Sequence, residues 1–119
     1  MEPLAPGGVP GTCFVAMSFD RSLDPAFDLG IRPAVEDDCG MKVVRVDRVE
    51  HNGVVTDLIL GSLRAAQLTV ADVTLQRSGV YFEAGFALGL PRTVIWTCRD
   101  DDLKNVPLRH SAVQPRRMD

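Results

Sequence analysis

Two acidic residues occupy positions from which they could do chemistry. Asp72 closes the short apolar run that begins at Leu68, and Glu83 lies inside the segment of helical spacing that follows. Between them runs a polar turn containing Thr74, Gln76, Arg77, Ser78 and Gly79. An apolar run that stops at an acid, then a polar loop, then a helix, reads as a strand–loop–helix unit. In parallel α/β sheets such loops sit at the carboxyl ends of the strands, where ligands bind. The reading puts Asp72 at a strand tip and Glu83 about one turn into the next helix, both facing one crevice. Paired carboxylates on one rim are the groups that glycosyl transfer uses, one acting on the sugar carbon while the leaving group is protonated.

The elements that must position this pair follow from patterning. Thr12 to Phe19 is a dense apolar run, as a parallel strand buried on both faces requires. A loop holding Ser18, Asp20 and Arg21 follows, and Asp24-Pro25 has the form of an N-cap with proline at the first helical position. The helix carries Phe27, Ile31, Ala34 and Val35, with a kink or restart expected near Arg32 because Pro33 lies inside it. Met41 to Val46 reads as a second strand, ending in the polar cluster Asp47, Arg48, Glu50, His51, Asn52 and Gly53. Val55, Leu58, Ile59, Leu63 and Ala66 then recur at amphipathic helical spacing. Gly89-Leu90-Pro91 stops the central helix, and Thr93 to Thr97 is a fourth strand.

The order β-α-β-α-β-α-β predicts an α/β fold: a doubly wound parallel sheet, flavodoxin-like, of four to five strands. Residues 1–11, with three prolines and three glycines, are expected to be a disordered leader. The domain spans 12–105, and 106–119 reads as an irregular, truncated tail without apolar periodicity, broken by Pro107 and Pro115.

Composition narrows the partners. A chain of 119 residues with 45% hydrophobic content supports one domain with a core. The net charge of −3, with basic residues scattered apart from a cluster at the end (Arg109, Arg116, Arg117), gives no electrostatic reason for a nucleic-acid or anionic-membrane partner. The three cysteines, Cys13, Cys39 and Cys98, are odd in number and widely spaced, and read as reduced thiols rather than a disulfide frame or zinc site. No apolar run reaches the ~18 residues of a membrane helix. The N-terminus lacks the basic and apolar regions of a secretory signal, so a cytoplasmic location is the expectation.

Three segments in order resemble the nucleoside 2-deoxyribosyltransferase-like family, a relative of TIR-type domains. They are CFVAMSFD (from Cys13), RVDRVEHNGVVTDLILGSLRAAQLTVADVT (from Arg45) and SGVYFEAGFALGLPRTVI (from Ser78). The resemblance covers about Thr12 to Asn105. It implies that Glu83, in the Y-x-E-x-G motif, attacks the anomeric carbon of a nucleoside or nucleotide. Asp72 would contact base or ribose and help protonate the leaving base, and the Tyr81 hydroxyl would orient Glu83. It further implies substrate contacts from Ser18, Asp20, Arg21, Gly53, Arg77, Ser78 and Gly79, no metal and no cofactor, and a homo-oligomer acting on a small molecule. Ser78 is placed to cap the helix, while Gly79 and Gly85 would permit close approach of ligand or backbone. The segment Gln76-Arg77-Ser78-Gly79 departs from the family's asparagine-bearing turn, and Arg77 there could bind a phosphate.

Plainer readings stand beside these. Glu83 also suits a solvated first-turn glutamate, and Asp72 a turn cap. His51 with Asp47 and Glu50 lacks a second ligand pair and reads as a solvated loop rather than a metal site. Cys13 and Cys98 read as core, Cys39 as a helix-end residue. The functional expectation is cleavage or transfer of an N-glycosidic bond, by a deoxyribosyltransferase or hydrolase. The alternatives are a non-catalytic nucleotide-binding or signalling module of TIR-like type, and a TIR-like NAD hydrolase.

Overall fold

The computed structural model describes residues 9–46, 55–107 and 116–118. Its centre is a five-stranded, all-parallel sheet of β1 (Val9–Ala16), β2 (Lys42–Val44), β3 (Ala66–Asp72), β4 (Thr93–Arg99) and β5 (Arg116–Met118), in the spatial order β2-β1-β3-β4-β5. This is the flavodoxin-like doubly wound order. The chain winds outward from β1 to β2, then reverses past β1 to β3, and the reversal leaves a crevice at the carboxyl ends of β1 and β3.

Parallel strands need crossovers, and the helices supply them on both faces. The strands' period-two alternation sorts the core into two layers. Cys13, Val15, Met17 and Val70 point to one face, where Leu23, Phe27, Ile31 and Val35 of the helical segment 21–38 cover them. Phe14, Ala16, Ala71, Val73, Trp96 and Cys98 point to the other, under α2 (Val55–Ala65) and α3 (Ser78–Leu88). Ile59 and Leu63 of α2 are buried as the amphipathic pattern requires, whereas Leu58 is half exposed. No helix among the described residues is long and apolar enough to cross a membrane.

Several boundaries differ from the sequence expectation, each for a local reason. β1 begins at Val9, inside the supposed leader. Gly11 adopts a φ of 86° and its N–H donates to the Gln67 side chain at 2.8 Å, so a bulge between Val9 and Cys13 lets the strand start early. The first helical segment starts at Arg21, capped by Asp20 rather than Asp24, because the Asp20 carboxylate accepts from the Ser22 N–H at 2.9 Å. It opens as a 3-10 turn (Arg21–Leu23), makes one α-turn (α1, Asp24–Ala26) and widens into π-helical stretches at Phe27–Ile31 and Ala34–Asp38. Those stretches flank Pro33, which has no N–H to continue an α-helical ladder; the Arg32 N–H reaches back to the Phe27 carbonyl instead. The tail expected to be irregular contributes β5, whose Arg116–Met118 pairs with Thr97–Arg99 at the sheet edge.

Candidate functional site

The crevice predicted by the strand order contains a cavity of about 450 Å³. Its walls come from the loop after β1 (Ser18, Phe19), from Val46 beyond β2, and from the start of α3 (Arg77, Ser78, Gly79, Glu83). The volume is within the range of small-molecule sites, about 300–1,000 Å³.

The β1 loop is built around Asp20. Its N–H donates to the Ser18 hydroxyl at 3.1 Å, and its carboxylate accepts from both the N–H and the hydroxyl of Ser22. These Ser22 bonds, with Arg77 beside them, hold the Asp20 carboxyl below the usual carboxylate range. Arg77 pairs with Asp20 at 3.9 Å across the two loops. Both side chains are about half exposed, so this contact relates the loops more than it stabilises them. Arg45, just past β2, fixes the same loop from behind. It donates to the Ser18 carbonyl at 2.9 Å, and its guanidinium lies 3.9 Å from the Phe19 ring centroid and 4.4 Å from that of Phe27.

The β3–α3 loop is strained and tightly held. Leu75 and Gln76 both have positive φ, 73° and 54°, a conformation that costs about 1–3 kcal/mol each away from glycine. Asp102 offsets that cost by accepting from the Leu75 N–H at 2.7 Å and the Gln76 amide at 2.8 Å, while Asn105 donates to its other oxygen. The Arg99 N–H donates to the Thr74 hydroxyl, and the Val73 N–H to the Thr97 carbonyl. The end of β4 and the 3-10 turn after it (Asp100–Asn105) thus set where α3 begins.

Glu83 is buried on α3 and lines the cavity, as do Ser18, Arg77, Ser78 and Gly79. The other expected site residues are not gathered with them. Asp72 does not line the cavity of Glu83. It falls on the same strand face as Val70, against the 21–38 segment, and lines a second cavity of about 410 Å³ with Thr74, Arg99, Pro25 and Leu29. The two carboxylates line different cavities. Asp72 is 2% exposed, and its oxygens accept from the Thr97 hydroxyl at 2.7 Å and the Thr74 N–H at 3.0 Å. Tyr81 does not orient Glu83 either: its hydroxyl donates to Gln76 at 2.6 Å, and burial, with Cys98 and Asp102 nearby, pushes it up from its ordinary pKa.

Arg21 is exposed and lines neither cavity, and Asp20 reaches the site through Ser18 and Arg77. Ser78 is the first residue of α3 and does not cap it, since Arg77 holds the cap position with no side-chain bond. A side chain at Gly85 would meet open space, so that glycine marks no close approach. Gly53, with Asp47, Glu50 and His51, lies outside the described residues.

Sequence reasoning missed Phe19 and Arg45. The one signal for Arg45 was a basic residue inside the apolar run MKVVRV, at a strand's carboxyl end. Comparison of the chain with protein-family models, with curated proteins and with solved structures gives no match.

Proposed function

We propose that the chain cleaves or transfers the N-glycosidic bond of a nucleoside or nucleotide, with Glu83 as nucleophile, as a relative of the nucleoside 2-deoxyribosyltransferase-like proteins. The observation that carries this reading is a buried carboxylate on the wall of a ligand-sized cavity at the reversal of strand order. A Glu83 oxygen attacks the anomeric carbon, and the carbon–nitrogen bond breaks with its electron pair passing to the base, which takes up a proton. Water or a second base then displaces the glutamate ester. Asp72 is not the proton donor in this scheme, because it lines the other cavity and both its oxygens are engaged. The proton comes from water at the cavity mouth.

That same disposition of Asp72 favours a second reading, a nucleotide-binding module of TIR-like type without catalysis, since the cavity lacks a paired acid from β3. Base release, followed by liquid chromatography over deoxynucleosides, their monophosphates and NAD, separates the two. The enzyme reading expects release by the wild type and none by Glu83→Gln, which still binds. No release from any substrate by wild-type protein shown folded by circular dichroism overturns it in favour of the binding module. Homo-oligomer formation and a cytoplasmic location belong to the proposal as well, and sedimentation tests the first.

A further inference from the structure

We infer that the outer faces of α2 and α3 pack on the same faces of a second copy of the chain, antiparallel about a two-fold axis at Gly85. This deepens the homo-oligomer of the proposed function by naming its surface, and it does not rest on the chemistry assigned to Glu83.

α3 is apolar on every side. Its one charged residue, Glu83, is buried, yet Phe82 is 54% and Leu88 50% exposed. A helix with apolar residues all round belongs inside a core, and one chain buries only the side that carries Val80, Ala84 and Ala87. α2 lies beside α3, with Leu58 48% exposed. Arg64 joins the two outer faces, its guanidinium 5.4 Å from the Phe86 ring centroid. Each helix also has an exposed glycine in its interior, Gly61 in α2 and Gly85 in α3, where a side chain would meet open space. Glycine is the poorest helix former after proline, and nothing within the chain requires it at either place. A contact from outside the chain supplies the reason, since a missing Cβ lets another helix approach closely.

The occupant that fits is a second copy, because the surface is complementary to itself under a two-fold rotation. Phe82 and Leu88 stand three residues to either side of Gly85. In an antiparallel pairing centred there, each Phe82 meets Leu88 of the other copy, and the two glycines face each other. The same rotation lays α2 antiparallel on its counterpart. Asp57 stands in the first turn of α2 and Arg64 in the last, with Gly61 between them. Both are exposed, and neither forms an ion pair with a described residue. The rotation brings each Asp57 toward Arg64 of the other copy. Opposite charges then close both ends of an apolar centre, the apolar core and charged rim of a specific interface.

The test is sedimentation equilibrium of the full chain as wild type, Gly85→Leu, Asp57→Arg and the double exchange Asp57→Arg with Arg64→Asp. Wild type is expected to dimerise at micromolar concentration. A side chain at position 85 meets open space in the single chain, so Gly85→Leu should keep the wild-type circular dichroism. Its dimer should nonetheless dissociate at least about tenfold more readily. Asp57→Arg is expected to weaken the dimer about tenfold, and the double exchange to regain most of that loss. The inference is overturned if wild type is monomeric throughout, or if folded Gly85→Leu dimerises within about twofold of wild type. It is equally overturned if the double exchange stays as weak as Asp57→Arg. Base release read on the same samples separates the claims. A monomer that releases base sinks the interface and leaves the enzyme, whereas a Gly85-dependent dimer without release sinks the enzyme and leaves the interface.

Discussion

The Asp102 carboxylate holds the Leu75 N–H at 2.7 Å, and so ties the turn after β4 to a backbone position of φ 73° in the loop that starts α3. Replacing Asp102 with alanine removes the acceptor for Leu75 N–H, the Gln76 amide and Asn105 together. The expected loss is about 1–3 kcal/mol of stability in chemical denaturation. A pH signature accompanies it. Burial pushes the Asp102 carboxyl up, but the bonds from Asn105, Gln76 and Leu75, with the charge of Arg99, outweigh burial and hold it below its ordinary value. A lowered native pKa stabilises the fold fully above the unfolded carboxyl value, about 3.9, and that stability is lost as pH falls through the native value. Stability curves measured down through this acid range should therefore be flatter for Asp102→Asn than for wild type. Parallel curves would show that the tie contributes nothing.

The cysteines offer a test of the core. Cys13 and Cys98 are fully buried, and burial pushes both thiols up to about 11, whereas Cys39 at the end of the first helical segment is exposed. The thiolate is the reactive form. Native protein titrated with a thiol-specific chromogenic disulfide near pH 8 should release one equivalent quickly, and three after denaturation. Rapid reaction of all three in the native state would contradict the packing of β1 and β4.

Much of the fold was legible because its signals are local. The apolar runs at Cys13, Leu68 and Thr93 are strands on two-sided cores, and Ile59 and Leu63 mark the inward face of α2. The helix start was misjudged by one turn because Asp20 and Asp24 are both credible caps, and only the reach of Asp20 to Ser22 decides between them. The site was less legible because its geometry is not local. Whether Asp72 and Glu83 share a crevice depends on which sheet face α3 covers, which strand-by-strand patterning does not state. Arg45 finds its stacking partners far back in the chain, at Phe19 and Phe27. Tyr81 turns toward Gln76 because Asp102, beyond the next strand, orients that amide.

Asp72 and Glu83 are separable by substitution at the β3–β4 contact. Asp72 accepts from the Thr97 hydroxyl at 2.7 Å across β3 and β4, and is 2% exposed. Thr97→Val keeps the shape of the side chain and deletes the donor, leaving a buried carboxylate oxygen short of a partner. The expected cost is about 1–3 kcal/mol. Asp72→Asn should cost a similar amount, and the double variant less than the sum, because the two residues share one bond. Base release per folded molecule should survive Thr97→Val and Asp72→Asn, since neither side chain lines the cavity of Glu83. Activity lost in Asp72→Asn at unchanged folded fraction would return Asp72 to the chemistry and require that the sheet's edge let the two carboxylates meet across one substrate.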